Sequence, residues 1–370
     1  MLPLDPPHVH TLAIIGPEAD SRHALDGNYH GTAARYVTLS EEIQDYVKDR
    51  GLEDQIRILY AQGCSLAAAS EESLAQRDDR IAEAVAASLA DTIVLAVGLN
   101  KFLEGEEMDQ RNGVGSGDRM DLALPAPQRR LLEAIAKVTD GTDKRVILCL
   151  TAGSDIDLSF AREHFGAILD LWYPGEQGGT ALAEILFGEV SPSGKLPVTF
   201  YENLEDLPEF TDYAMTGCTY RYLRGEAQYP FGFGLTYGAV AVTNVRVLNA
   251  SGEETDTFAD GEDLTLLVTA RNEGRDIREV LEAYVKLPDA PDCLEIGGRL
   301  SAFSKIALAG GEEKTFRLTL PGTFFRTYSK AGEEIPEGTF AEIFVGTSQP
   351  DPVSVRLLGK TPLRVTLRRR

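Results

Sequence analysis

The sequence predicts an α/β fold, a mostly parallel α/β sandwich domain followed by an all-β immunoglobulin/fibronectin type III-like sandwich. Three features of the chain point there. Over the first 200 residues, short apolar runs alternate with helical stretches at crossover lengths, the pattern of a parallel sheet covered by helices. After about Tyr237 helical periodicity vanishes, and β-rich alternating runs separated by glycine turns take over. At 370 residues the chain is too long for one small domain and suits two or three. The expected boundaries are 1–200 for the α/β domain, 201–238 for an aromatic-rich interdomain segment and 239–370 for the β-domain.

Residues 11–16 (TLAIIG) form an apolar run stopped by Pro17, which reads as a buried parallel strand. Asn28 to Gly31 is a turn-rich loop. Thr38 and Glu41 have capping-box spacing and open a helix through about Asp49. Residues 57–60 form a second strand, and 70–90, rich in Ala, Glu and Arg, a helix. Residues 92–97 form a third strand, closed by Gly98. A long polar loop, 99–121, follows. Pro125 and Pro127 open a helix from Gln128 to about Val138, with Leu131, Leu132 and Ile135 on one face. Residues 146–150 and 167–171 give the fourth and fifth strands. The helix 178–187 ends at Gly188, a natural position for left-handed backbone. In the β-domain the runs 242–247, 264–269, 280–285, 316–320 and 340–345 read as strands.

Lys and Arg total 36 against 58 Asp and Glu, a net charge of -22. Such a surface repels phosphate backbones, so nucleic acid is excluded as a partner, and the basic tail Arg368-Arg369-Arg370 is too short to reverse this. The four cysteines (Cys64, Cys149, Cys218, Cys293) lie far apart without paired spacing, which argues against structural zinc. Cys149, inside the run VILCL, reads as a small buried hydrophobe. The N-terminus lacks a signal-peptide pattern and no run of ~20 apolar residues is present, so a cytoplasmic location and no membrane partner are expected.

Ligands of open α/β sheets bind beyond the carboxyl ends of the strands. The loop after the third strand carries Glu104, Glu106, Glu107 and Asp109 at such an end. Crowded, partly desolvated carboxyls have raised pKa values, which suits a general acid. A solvated acidic loop is the plain alternative. Asp118 and Arg119 read as a pair shaping this loop, with contact to a substrate as the other possibility. Trp172-Tyr173 could stack on a sugar ring or simply pack. Tyr220, Arg221 and Tyr222 read as braces between domains. The glycine clusters 113–117 and 175–179 match no phosphate-binding pattern. The five histidines show no ligand spacing, so neither a metal nor a cofactor is expected.

The order of these pieces carries more than any one of them. Ile15-Gly16-Pro17, Gly27-Asn28-Tyr29, Gly63-Cys64, Glu104-Gly105-Glu106-Glu107, Gly117-Asp118-Arg119 and Leu124-Pro125-x-x-Gln128 occur in sequence. Trp172-Tyr173-Pro174-Gly175, the stretch 192–197 (PSGKLP), Thr219-Tyr220-Arg221-Tyr222 and the stretch 229–235 (YPFGFGL) follow. The series resembles the C-terminal half of glycoside hydrolase family 3, the β-glucosidases and β-xylosidases. Ser304-Lys305-Ile306, Phe325-x-x-Tyr328 and Val345-Gly346 resemble the fibronectin type III-like domain that ends many members. The resemblance covers nearly the whole chain in collinear order.

The family resemblance implies a retaining β-glycosidase that removes terminal non-reducing β-D-glucosyl (or β-D-xylosyl) residues. In such enzymes a (β/α)8 barrel supplies the nucleophilic aspartate and the α/β domain lends the acid/base glutamate. By resemblance that role falls on Glu106, with Glu104 the runner-up because the loop varies in length across the family. Asp118, Arg119 and Trp172 are the candidate substrate contacts. No residue of this chain matches the family's nucleophile, and Leu2 to Asp5 resembles the linker that follows the barrel. The implied partners are a β-glucoside or β-xyloside oligosaccharide and a separate catalytic-barrel polypeptide. Since retaining hydrolysis needs two carboxyls about 5–5.5 Å apart, the chain alone is expected to turn over little or nothing. A non-catalytic carbohydrate-binding or scaffold remnant is the other reading.

Overall fold

The computed structural model describes residues 1–67, 79–105, 119, 121–209, 211–259, 261–289, 298–328, 331–335 and 338–370. The chain divides into two compact units, Met1–Val190 and Ser191–Arg370.

The first unit is built on a five-stranded sheet. Its strands are β1 (Thr11–Ile15), β2 (Arg57–Ala61), β3 (Thr92–Gly98), β4 (Arg145–Thr151) and β5 (Ala167–Asp170), in the order β2-β1-β3-β4-β5. Every pairing is parallel. β3 lies at the centre and is buried along its whole length, which is why it reads as an unbroken apolar run rather than an alternating one. Leu12, Ile14, Val94, Ala96, Ile147 and Cys149 pack with Leu39, Ile43 and Val47 of the helix Leu39–Asp49 and with Leu182 and Leu186 of the helix Gly178–Leu186. Burial pushes the Cys149 thiol up to about 12, so it stays protonated and packs as an apolar side chain.

The local signals act as read. Thr38 accepts the Glu41 amide and Glu41 accepts the Thr38 amide, a complete capping box. Gly188 takes the left-handed φ of 76° after the last helix. Residues 79–87 of the expected 70–90 helix are helical, and 68–78 lie outside the described residues. The short helix Ser159–His164 was not expected, because six residues are too few to show a period.

The second unit holds two larger sheets around one core and two short antiparallel pairs, β6 (Phe200–Tyr201) with β7 (Ala227–Tyr229) and β14 (Thr327–Tyr328) with β15 (Glu334–Ile335). β8 (Val240–Leu248), β10 (Leu264–Asn272) and β13 (Glu313–Leu320) form a sheet in the order β13-β10-β8. β12 (Arg299–Leu308), β11 (Ile277–Lys286), β16 (Phe340–Gly346), β17 (Leu363–Arg369) and β9 (Thr257–Phe258) form the other, in that order, with only β9 added parallel. Leu266, Val268 and Leu318 of the first sheet share a core with Leu281, Ala283, Ile343 and Leu367 of the second. The expected strands all lie within observed ones, whereas β12 and β17 were missed. The three C-terminal arginines are built into this unit: Arg368 and Arg369 belong to β17, Arg369 lies over the Phe258 ring, and Arg370 pairs with Glu262.

Candidate functional site

Because the sheet of the first unit is parallel, the carboxyl ends of β1, β3, β4 and β5 meet at one edge. The side chains gathered there come from the segments that leave those four strands.

The exit from β3 is clamped from below. Gln128, fully buried on the helix Ala126–Thr139, accepts the Gly98 amide at 2.8 Å. It donates to the Gly98 and Leu66 carbonyls, each at 2.7 Å. The Leu-Pro-x-x-Gln motif therefore ties a helix to the end of the central strand. Beyond it Asn100 starts a tight turn. Its side-chain oxygen accepts the Phe102 amide at 3.0 Å, and its carbonyl accepts the Leu103 and Glu104 amides at 2.9 and 3.0 Å.

Glu104 ends this turn, and its side chain is fully occupied. Oε2 accepts the Gly153 amide at 2.6 Å and the Tyr173 hydroxyl, while Oε1 accepts the Ser154 hydroxyl. All three groups donate, so in this arrangement Glu104 offers no hydrogen to a substrate. The Asn28 side chain donates to the Glu104 carbonyl at 2.8 Å. Only glycine fits at 153. A Cβ there would stand 2.9 Å from the Tyr173 ring and 3.1 Å from Oε2 of Glu104. Burial first, then the Glu104 charge, raises the Tyr173 phenol, which keeps its proton and remains a donor.

Arg119 reinforces the same corner. It donates to the Ser154 hydroxyl at 3.0 Å, the Asp155 carbonyl at 2.9 Å and the Ala123 carbonyl at 3.0 Å. Ser154 thus accepts from Arg119 while donating to Glu104. Asp118, with which Arg119 was expected to pair, lies outside the described residues, as do Glu106, Glu107 and Asp109. Trp172 holds a left-handed φ of 52°, and its amide donates to Asp170 at 3.2 Å. For a bulky residue that conformation is strained and typical of functional corners. Burial raises the Asp170 carboxyl to about 6.

Some groups at this edge gave no signal in the sequence reading. Lys101 lies 3.5 Å from Asp26, and its ammonium is 2.7 Å from Nε2 of His30. Nδ1 of His30 lies 2.7 Å from the Gly31 carbonyl and 3.4 Å from the Asp26 carboxylate. Glu18, just past β1, is 1% exposed, and neither of its oxygens has a hydrogen-bond partner within normal geometry. Its position after Gly16-Pro17 looks like an ordinary polar loop residue. Tyr220, read as an interdomain brace, makes contacts within the second unit. It stacks on Phe231 with centroids 4.2 Å apart and accepts the Leu300 amide. Among the described residues no cluster of His, Cys, Asp and Glu is grouped to hold a metal ion, and no helix is long and apolar enough to cross a membrane.

The first unit is thus a parallel α/β domain that holds Glu104 at the carboxyl edge of its sheet, where ligands of such sheets bind. Residues 1–237 match the model of the glycosyl hydrolase family 3 C-terminal domain. The chain belongs to glycoside hydrolase family 3. It is 31% identical over 364 residues to a β-xylosidase of Formosa agariphila, covering 94% of this chain and 46% of that protein. It is 35% identical over 292 residues to probable β-D-xylosidase 7 of Arabidopsis thaliana, covering 75% of this chain and 34% of that one. Among solved structures, a β-glucosidase from Erythrobacter marinus superposes with a TM-score of 0.75 at 28% identity, covering 99% of this chain and 47% of that one. A family 3 β-glucosidase from Bifidobacterium adolescentis gives 0.75 at 27% identity, with 99% and 50% covered. The chain thus spans less than half the length of these curated relatives.

Proposed function

We propose that this chain forms the acid/base side of a retaining β-glycosidase acting on terminal non-reducing β-D-xylosyl or β-D-glucosyl residues. The curated relatives favour xylosyl. In this reading Glu106 protonates the glycosidic oxygen and then deprotonates water in the second step. The nucleophilic aspartate comes from a family 3 barrel outside these 370 residues, and the residues alone turn over little. The fibronectin type III-like identity of the second unit is part of the same proposal, supported by its three-strand sheet facing β12-β11-β16-β17.

One observation carries the assignment. Glu104 is tied by three donors at the strand edge, which makes it the anchor of the acidic loop and speaks against it as the proton donor; the choice of Glu106 among the loop's other carboxyls rests on the family resemblance. Trp172 and Arg119 serve positioning in this reading, and Asp118 remains a candidate sugar contact.

The test uses the chain alone and then supplied with a family 3 barrel, assayed on aryl β-xylosides and β-glucosides of graded leaving-group ability. Glu106→Gln should lower kcat/KM on the order of 10²–10⁴-fold for poor leaving groups. The loss should be smaller for good ones, which need little protonation. Glu104→Gln should reduce both alike, since it disturbs position. A Glu106→Gln rate within a few fold of the parent would falsify the assignment. Robust turnover by the chain alone would mean that it contains a nucleophile of its own.

A further inference from the structure

We propose that the stretches 192–197 and 229–235 form a strap that closes over β11 on a buried charge latch, Lys195 with Glu279 and Glu282, and that Glu282 meets water only when the strap opens. The strap lies within the second unit and stands whether or not Glu106 is the proton donor.

Side chains alternate between the two faces of a strand. Leu281, Ala283 and Val285 of β11 face the core, so Glu282 and Tyr284 point to the back of the sheet, where a strand often meets water. Both are instead buried, at 3% and 0% exposure. Gly232 of the strap lies directly on them. A Cβ there would stand 2.5 Å from Oε2 of Glu282 and 2.9 Å from the Tyr284 hydroxyl, and the φ of 76° also favours glycine. The two limbs of the strap are bonded to each other. The Leu196 amide donates to the Phe233 carbonyl at 2.9 Å, and the Gly232 amide to the Leu196 carbonyl at 2.8 Å. At the base the Tyr237 amide donates to the Ser191 hydroxyl at 2.9 Å.

Lys195 supplies the positive charge of the latch. Its ammonium donates to the Gly234 carbonyl at 2.7 Å and lies 2.9 Å from Oε1 of Glu279, the two side chains being 8% and 6% exposed. The Tyr284 hydroxyl donates to Glu282 at 2.8 Å. Tyr220 of the helix Thr219–Tyr222 packs edge-on against Tyr284, and Asp351 also acts on that phenol. In the sheet Glu282 stands opposite Phe303 of β12 and Gly346 of β16, neither of which titrates. Lys305 stands opposite Val280 instead, and Lys286 opposite Glu342. One ammonium thus serves two buried carboxyls. With the strap shut, an ionised Glu282 adds a charge that has no counterion of its own among the described residues, which is costly away from water. Burial accordingly pushes the Glu282 carboxyl up to about 7, and the Tyr284 hydrogen bond and the Lys195 charge offset only part of the rise.

Amide exchange in the full 370-residue chain tests the latch. An opened strap lets Glu282 ionise in water, so opening releases a proton between the ordinary glutamate value and about 7. Protection of the Leu196 and Gly232 amides, corrected for intrinsic exchange, should therefore fall about tenfold per pH unit from about pH 5 to 6.5 and level off above about 7. It should also stay below that of β10, which only unfolding of the whole unit exposes. In Glu282→Gln the profile should be flat. A flat profile in the parent, a profile that the variant reproduces, or protection equal to that of β10 overturns the proposal. If the variant does not fold, the carboxyl carbon shift of Glu282 in the unaltered chain decides. A midpoint near 7 supports the proposal, and one in the ordinary glutamate range overturns it.

Discussion

The Tyr173 hydroxyl supplies one of the three hydrogen bonds that fix Glu104, and its ring packs closely on Gly27 and Gly153, where a Cβ would stand 3.1 and 2.9 Å from it. Tyr173→Phe keeps the ring and deletes only the donor. A hydrogen bond to a charged group contributes about 1.5–3 kcal/mol, and Gly153 and Ser154 still serve the carboxylate. The variant should therefore lose about 1–2 kcal/mol in urea unfolding. Tyr213→Phe, altering a side chain 89% exposed, should stay within about 0.5 kcal/mol of the parent. Equal effects for the two would show that the Tyr173 bond to Glu104 does not matter to stability. The partners of Glu104 lie 49 to 69 residues away in sequence. No local pattern announces such contacts, so the sequence located the acidic loop but not what holds it.

At the scale of elements, the clamp between the helix Ala126–Thr139 and β3 is the joint on which the loop turns. Gln128→Leu keeps the volume and removes three hydrogen bonds, leaving the Gly98 amide and carbonyl buried without this partner and the half-buried Leu66 carbonyl without its own. Each orphaned group costs about 1–3 kcal/mol, so a loss of about 3 kcal/mol or more is expected by denaturant unfolding. A loss below about 1 kcal/mol would mean that water replaces the amide. Legibility at this scale followed how local each signal is. A fully buried strand such as β3 needs a continuous apolar run, and the Thr38–Glu41 box closes within one turn, so both could be read directly. β17 alternates apolar residues with arginines, and its last residues read only as a short basic tail. Phe258 and Glu262, which explain those arginines, come from over 100 residues upstream. β12 places Phe303 in solvent at 70% exposure, which blurs its inside-outside alternation. Glu18 was overlooked because a glutamate after Gly-Pro is normally exposed.

For the whole molecule, both units bury carboxyls without enough compensation. Burial raises Glu18 to about 7 and Asp170 to about 6 in the first unit, and Glu282 to about 7 in the second. Tyr284 donates to Glu282 at 2.8 Å, but the nearby Lys195 is committed to Glu279 at 2.9 Å. Each folded value exceeds the unfolded one, so the native state binds more protons between about pH 4 and 7. The stability these groups allow is complete below the unfolded values and is lost as pH rises through the folded ones. A shift of two or more units is worth roughly 3 kcal/mol per group. The net charge of -22 at pH 7 adds repulsion in the same direction. On the acid side Glu41, lowered mainly by the Thr38 amide, contributes stability that is lost as its carboxylate protonates. Thermal unfolding should therefore peak at about pH 4, and Tm should drop by several degrees toward pH 8. Replacing Glu18, Asp170 and Glu282 by their amides keeps shape and removes the titrating protons. The triple variant should match the parent near pH 4 and exceed it at pH 8. If its Tm declines with pH as steeply as the parent's, these carboxyls are not what weakens the fold, and surface repulsion alone must account for the slope.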